Sequence, residues 1–434
     1  MVALALRQRF FPNLDREQRM STAIRPTADS TAAGRVTTAE PTRVSAPVRN
    51  LAVDAYRGLV MLLMMGEVMR FADTAKVFPD STVWRWLAYN QTHVEWSGMS
   101  LHDTIQPGFT FLVGVAIPYS IRSRQAKGDS FRSLLLHTIW RSLVLIALGV
   151  FLRSTGGPIT YFTFEDTLSQ IGLGYTFGFL LAYARPRVQW IALAGILFAY
   201  WLAWALYPAP GPGFNYAAVG VPPDWQGQIY NGLAAHWNKN ANFGNAFDVW
   251  FLNLFPRVRP FRYNDGGYLT LSFIPTLGTM LLGVIAGRWF LASKPAIPLR
   301  RFLLAAAGLM AAGLLLHFTG ICPIVKRIWT PSWTLWSGGV CFCFLAAFSW
   351  IIDVKGYRKI AFPLVVVGMN SIAAYLMAHL WEEFLLNTFR IHLGERFLNL
   401  LGPSLEPFFL GVLTMLAYWS ILYWMYRKKI FIKI

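Results

Sequence analysis

Residues 188–207 read VQWIALAGILFAYWLAWALY, a run of 20 residues without a charged side chain. A helix of about 20 apolar residues is long enough to cross the hydrocarbon core of a bilayer. Such runs recur after residue 50 and predict an all-α fold, a polytopic transmembrane helix bundle of about ten spans (10–11). The predicted spans are 53–71, 104–121, 133–152, 166–184, 188–207, 268–291, 301–319, 331–352, 360–380 and 405–426.

The composition of the whole chain favours the same class. Hydrophobic residues make up 55 % and charged residues 14 % of the 434 residues, whereas a soluble domain has about 25 % charged residues. The net charge of +18 arises because acidic residues are few. A soluble enzyme, a disordered chain and a nucleic-acid partner are therefore excluded, and a lipid bilayer is the expected surrounding. The three cysteines show no CxxC or Cys/His spacing, so we expect no metal site.

Basic residues are distributed unevenly between the two sides of the predicted bundle. With the N-terminus inside, 26 of the 39 Lys and Arg residues fall in inner segments and 11 in outer segments. Cytoplasmic loops of membrane proteins carry such an excess of Lys and Arg. We therefore predict an N-in and C-in topology for a multi-pass protein of the cell's inner (plasma) membrane.

The chain divides into a tail and a transmembrane domain. Residues 1–50 lack hydrophobic periodicity and are predicted to be a disordered cytoplasmic tail, with a translation start placed too far upstream as the alternative. Residues 51–434 form the predicted transmembrane domain, with long outer loops at 72–103 and 208–267. Asparagines and aromatic residues in the second loop suit sugar contact, or ordinary packing at the membrane interface. The charged segment 381–400 is predicted to form an interfacial helix.

The first predicted span contains ionisable residues, which are costly in a bilayer and therefore mark candidate functional sites. Asp54 and Arg57 are three residues apart, on one helical face near the inner boundary. They are either a structural ion pair or a site for a phosphate-bearing ligand from the cytoplasm. Glu67 lies ten residues after Arg57, which is about 15 Å further along the helix and near the outer side.

A second polar cluster precedes the next span, with the sequence NQTHVEWSG at residues 90–98 and Asp103 after it. His93 is the candidate general base, because histidine titrates near neutral pH. Glu67, Glu95 or Asp103 would orient its ring and stabilise its cationic form. The alternative is that His93 is an ordinary surface residue of an outer loop.

Three more polar residues fall within predicted spans. Arg141 either snorkels to the interface or neutralises an anionic ligand. Asn370 and His379 are about 13 Å apart along a helix, so they do not face one point. Hydrogen bonding between helices is the alternative role for both residues.

Five segments, in order, resemble the heparan-α-glucosaminide N-acetyltransferase family of multi-span acyltransferases, which has bacterial relatives. Asp54-Ala-Tyr-Arg57-Gly58 is similar to a D-x-F-R-G motif, and the residues from His93 to Pro107 are similar to H-x-x-W-N-G-L-T-x-x-D-L-V-F-P. The remaining segments are Gly278 to Gly287, Asp353-Val-Lys-Gly356 with Gly368-Met-Asn370-Ser371, and the ending from Tyr426. The resemblance covers about residues 50–434.

The resemblance implies a function and a set of site residues. Members of this family take acetyl-CoA from the cytosol and deliver its acetyl group to a terminal glucosamine across the membrane. His93 occupies the position of the catalytic histidine, and Asp54 and Arg57 match the cytoplasmic side of the acyl-CoA passage. Asp103, Asn370 and His379 match polar positions of the core. The resemblance and the residue patterns together assign His93, Asp103 and Glu67 to catalysis, Asp54, Arg57, Arg141 and Asn370 to the acyl-CoA, and Trp96, Glu95 and His379 to the acceptor.

The chain departs from the family pattern around the proposed site. Gly66-Glu67-Val68 stands where the family has an asparagine, and Ser97 and Gln106 replace an asparagine and a phenylalanine. Three hypotheses follow: an acyltransferase that moves an acetyl (acyl) group from acetyl-CoA to an amino or hydroxyl group of an extracytoplasmic glycan, a transporter or flippase, and a catalytically inactive scaffold. A homodimer is a further expectation.

Overall fold

The computed structural model describes residues 50–293 and 295–432. The predicted tail therefore lies outside the described residues except for Asn50. Within the described ranges the regular structure is helical, apart from an isolated antiparallel bridge between Ser97 and Val325. This confirms the predicted all-α class.

The helices follow one another with few long connections. In chain order they are α1 Leu51–Met65, α2 Phe71–Val77, α3 Thr82–Asn90, α4 Ile105–Gln125, α5 Phe131–Ser154, α6 Thr167–Ala182, α7 Pro186–Leu206, α8 Phe243–Leu252, α9 Phe273–Ser293, α10 Leu299–Phe318, α11 Pro331–Ser349, α12 Phe362–Met369, α13 Ser371–Leu380, α14 Glu382–Leu398 and α15 Glu406–Arg427. Short 3₁₀ turns extend three of them, at Gly66–Met69, His102–Thr104 and Thr270–Ser272.

The long helices make the protein a multi-pass membrane protein. Among the described residues, seven helices are long and apolar enough to cross a bilayer, namely α4, α5, α7, α9, α10, α11 and α15. An eighth candidate is the pair α12 and α13, which is bent by 78° at Asn370. The other two predicted spans, 53–71 and 166–184, contain the shorter helices α1, with 15 residues, and α6, with 16 residues. Segment 381–400 forms α14, which has a kink at Gly394.

Contacts between loops agree with the predicted alternation of helix direction. At one end, Gln170 donates to the carbonyl of Thr270 at 3.1 Å, and the Trp201 indole donates to the carbonyl of Ile321 at 3.0 Å. At the other end, Arg288 donates to the carbonyl of Ala184 at 2.6 Å. The predicted outer loops thus meet one another. Their assignment to the outside remains the prediction from the basic residues.

Glycines allow the central helices to approach closely. A Cβ added at Gly114 of α4 would lie 2.0 Å from the carbonyl oxygen of Met280, and one at Gly283 of α9 would lie 2.0 Å from that of Phe111. The same reciprocal arrangement joins α1 and α12 through Gly58 and Gly368. Small residues at helix contacts are the usual means of close packing in membranes. These two contacts hold α1 and α4, the helices that carry the site described below.

We expect Gly114→Ala to destabilise the protein by about 1–3 kcal/mol, because the added methyl group overlaps backbone of α9. Gly195→Ala on α7 is the matched control, since nothing lies within 4 Å of a Cβ at that position. The measurement is thermal unfolding in detergent, followed by size-exclusion chromatography. Equal melting temperatures for the two variants would contradict the close packing of α4 on α9.

Candidate active site

Two extended loop segments, residues 93–98 and 324–327, build the site. Ser97 pairs with Val325 in the antiparallel bridge, and the backbone N–H of Gly98 donates to the carbonyl of Ile324 at 3.2 Å. The Arg327 guanidinium donates to the carbonyl of Val94 at 3.2 and 3.3 Å. This pairing brings Lys326 beside His93, although the two residues are 233 positions apart in sequence.

Asp103 lies in the 3₁₀ turn before α4 and contacts the same edge of the His93 ring as Lys326 does. Its Oδ2 accepts hydrogen bonds from the backbone N–H and the hydroxyl of Ser100, at 2.9 and 3.0 Å. Its Oδ1 lies 2.7 Å from His93 Nδ1 and 3.4 Å from Lys326 Nζ. The Asp103 side chain is fully buried and that of Lys326 is 5 % exposed, so the two opposite charges compensate each other in a dry setting.

The short contact with Asp103 favours one tautomer of His93 over the other. A carboxylate only accepts hydrogen bonds, so Nδ1 carries the hydrogen that it donates to Oδ1, and the lone pair is at Nε2. One third of the His93 side chain is exposed. The ring is therefore held by a carboxylate and is still partly accessible, which is the arrangement that a general base requires.

Burial and neighbouring positive charge keep the His93 ring neutral. Burial is the main cause that lowers the pKa of His93 to about 4, and Lys326 and His102 lower it further against the opposing effect of Asp103. Lys326 Nζ lies 2.9 Å from Nδ1 and 3.3 Å from Nε2. Burial also lowers the pKa of Lys326, to about 8, while Asp103 opposes the shift. At neutral pH His93 is a free base beside an ammonium group.

A second histidine–carboxylate pair lies next to the first. His102 Nε2 is 2.8 Å from Glu67 Oε1, and the rings of His93 and His102 have their centroids 4.5 Å apart. Glu67 therefore contacts His102, and the proposed contact between Glu67 and His93 is not present. Side-chain exposure differs within this pair, with 4 % for His102 and 57 % for Glu67.

Both histidines line one cavity of about 870 Å³. Its walls are polar at the outer end, where Glu67, Lys326, Arg153, Glu165 and His379 are found. Its floor is apolar and is formed by α1 and α4, from Met61, Met64, Met65, Ile105 and Phe109. The cavity thus reaches from the outer loops into the helix bundle, and it is large enough for a sugar unit or the acyl end of a thioester.

Of the predicted acceptor residues, His379 lines the cavity, with its ring stacked at 4.3 Å on that of Tyr375. Trp96 is fully buried and its indole donates to the carbonyl of Trp237 at 3.1 Å. Glu95 accepts from the Trp225 indole at 3.2 Å. Trp96 and Glu95 therefore anchor the loop that carries His93, and neither is part of the cavity wall.

The residues predicted to hold the acyl-CoA lie away from His93. Arg57 Nη1 is 3.2 Å from Asp54 Oδ1, and Asp54 packs at the end of α1 that faces α12. Asn370 is fully buried and binds the C-terminal segment, donating to the carbonyl of Ile430 and accepting from the N–H of Ile432. Its amide is thus committed to the C-terminal segment. The Arg141 guanidinium lies 4.8 Å from the Tyr175 ring, outside the cavity.

The asparagines of the second outer loop have structural partners. Asn238 accepts from the N–H of Tyr230 at 2.8 Å, and Asn240 donates to the carbonyls of Val219 and Asn264. Asn242 accepts from the N–H of Asn245 at the start of α8. All three are buried, so they hold the loop together instead of presenting amides to a sugar.

Sequence reasoning missed Lys326 and gave His102 no role. The signal for Lys326 was its rarity, because most basic residues fall in the predicted inner segments and this one does not. The signal for His102 was its position beside Asp103. Among residues 50–293 and 295–432 no group of three His, Cys, Asp or Glu side chains is arranged to hold a metal ion, and the expectation of a metal-free site stays a prediction.

Two known proteins match most of the chain. Human heparan-alpha-glucosaminide N-acetyltransferase is 26 % identical over 432 residues, covering 90 % of this chain and 61 % of the human protein. The mouse protein of the same name is 24 % identical, covering 91 % of this chain and 62 % of its own length. The chain thus spans about three fifths of the length of these relatives. No protein-family model matches the chain. The two matches nevertheless confirm the relationship that the motifs predicted: the chain is a relative of the heparan-alpha-glucosaminide N-acetyltransferases.

Proposed function

We propose that the protein is a transmembrane acyltransferase that moves an acetyl group from cytosolic acetyl-CoA to an amino or hydroxyl group of an extracytoplasmic glycan. The observation that carries this proposal is the neutral His93 in contact with the Asp103–Lys326 ion pair, at the wall of a cavity that enters the helix bundle. The names of the two relatives, which are N-acetyltransferases, support the same reaction class.

The donor enters, in this proposal, from the end of α1 that holds Asp54 and Arg57. Met61 on the cavity floor is one helical turn from Arg57, about 6 Å along the axis. Arg57 suits a phosphate group because a guanidinium forms charge-assisted hydrogen bonds with phosphate oxygens. Basic residues predicted on the same side add a positive field, namely Arg122, Arg124, Lys127, Arg288 and Arg301.

The chemical step is an acyl transfer between sulfur and nitrogen or oxygen. His93 Nε2 accepts the proton of the acceptor group as that group attacks the thioester carbonyl. Asp103 holds the ring and stabilises the imidazolium that forms. The Lys326 ammonium supplies positive charge beside the developing oxyanion. A transient acyl-histidine is the alternative route, and it uses the same Nε2 lone pair.

The test uses the purified full-length protein with acetyl-CoA and glucosamine, and it measures free thiol release together with the mass of the sugar. We expect one thiol released for each acetyl group gained by the acceptor. Movement of sugar across proteoliposomes without thiol release would instead support the transporter hypothesis. Tight acetyl-CoA binding without turnover would support an inactive relative.

His93→Asn should lower the transfer rate by about 10²-fold or more, because general-base catalysis typically contributes that much. The variant should still insert and elute as the wild type does, since His93 is one third exposed. His392→Asn is the matched control, because His392 is an exposed residue of α14. A fully active His93→Asn protein would remove this residue from the mechanism.

The pH dependence tests the role of Lys326. The groups facing His93 are Asp103, Lys326 and His102, with Glu67 and Arg327 behind them. The wild-type rate should fall as the pH drops through the pKa of His93, about 4, because protonation removes the base. In Lys326→Met the loss of a neighbouring positive charge raises the pKa of His93. The acid limb of the pH–rate profile, which is the fall in rate at low pH, should therefore move to higher pH by about one pH unit.

Lys76→Met is the control for that experiment, since Lys76 is an exposed residue of the same outer loop as His93. Its acid limb should coincide with that of the wild type. An acid limb that stays in place in Lys326→Met would show that the ammonium does not act on His93.

A further inference from the structure

The pair His102–Glu67 has the chemistry of an acid–base group that the mechanism above does not use. The Glu67 carboxylate only accepts, so His102 Nε2 carries the hydrogen between them, at 2.8 Å, and the lone pair of His102 is at Nδ1. His102 Nδ1 is buried and has no hydrogen-bond partner among the described residues.

The position of His102 suggests its task. His102 opens the turn that begins α4, next to the apolar floor of the cavity, whereas His93 lies in the loop before it. In the proposed function the thioester arrives through that floor and the acceptor arrives from the outer loops. His102 is thus the histidine that adjoins α4, whose Ile105 and Phe109 line the apolar floor, and His93 is the histidine carried by the loop.

The pair His93–Asp103 is poorly suited to pass a proton on through its carboxylate. Asp103 is fully buried and already accepts from Ser100, His93 and Lys326. A proton taken up at His93 Nε2 therefore needs another acceptor. The ring of His102 is the neighbouring base, with the two ring centroids 4.5 Å apart, and the Glu67 carboxylate holds its other ring nitrogen, Nε2, at 2.8 Å.

We propose that His102, held by Glu67, returns the proton to the leaving sulfur, so that the site divides acid and base work between two histidines. This inference rests on the proposed function. The bond from the acceptor nitrogen or oxygen to the acyl carbon forms, and the bond from that carbon to sulfur breaks. The acceptor's proton passes to His93 Nε2, then by way of one water molecule to His102 Nδ1, since no direct hydrogen bond joins the two nitrogens, and finally to the thiolate. One proton leaves the acceptor and one arrives at sulfur, so no other reactant is needed.

The leaving group provides the test. With acetyl-CoA, an alkyl thioester, His102→Asn should lower the rate of thiol release by about 10²-fold, because the thiolate then leaves without its proton donor. With the 4-nitrophenyl thioester of acetic acid, whose thiolate leaves without protonation, the same variant should stay within about threefold of the wild type. His93→Asn should lose activity with both donors.

Glu67→Gln should show the same dependence on the donor with a smaller loss, since glutamine still accepts from Nε2 but carries no charge. His392→Asn and Glu395→Gln, both on exposed positions of α14, are the matched controls. Equal losses of activity with both donors in His102→Asn and Glu67→Gln would overturn the inference and assign the pair a structural role. Wild-type rates with both donors in these variants would also overturn the inference. A wild-type protein that releases no thiol would instead overturn the proposed function.

Discussion

The site depends on the buried ion pair between Lys326 and Asp103. It joins the loop between α10 and α11 to the first turn of α4, and both side chains are almost completely shielded from water. Breaking such a pair by removing one partner is strongly destabilising, because the remaining charge is left uncompensated. The orientation of His93 follows from it, since the carboxylate that holds the ring is itself held by Lys326 and Ser100.

A scaffold of closely packed helices makes that ion pair possible. The glycine contacts between α4 and α9 and between α1 and α12 allow backbones to touch. These contacts hold α1 and α4 in the bundle, and Glu67 and Asp103 lie in the 3₁₀ turns that adjoin the two helices. Two short extended loop segments, paired at Ser97 and Val325, then bring His93 and Lys326 together.

The helical class could be predicted from the apolar runs. Their length matches the thickness of a bilayer, and their apolar composition indicates that they lie in lipid. The contact between His93 and Asp103 was also within reach of the sequence, since the two residues belong to one polar segment. Lys326 was not, because 233 residues separate it from His93 and only the folded loops bring them together. The sequence left Glu67, Glu95 and Asp103 as alternative partners of His93 for a related reason: the distance along a helix is known from sequence, but the side chain that lies opposite is not.

The most direct measurement of the central claim is a cryo-EM map of the protein with a non-hydrolysable acetyl-CoA analogue. The account predicts that the acyl carbonyl lies in the cavity and that the phosphates lie at the Arg57 end of α1. An acceptor atom placed to attack that carbonyl would then be within about 3.5 Å of His93 Nε2. An analogue bound elsewhere on the protein, with an empty cavity at His93, would contradict it.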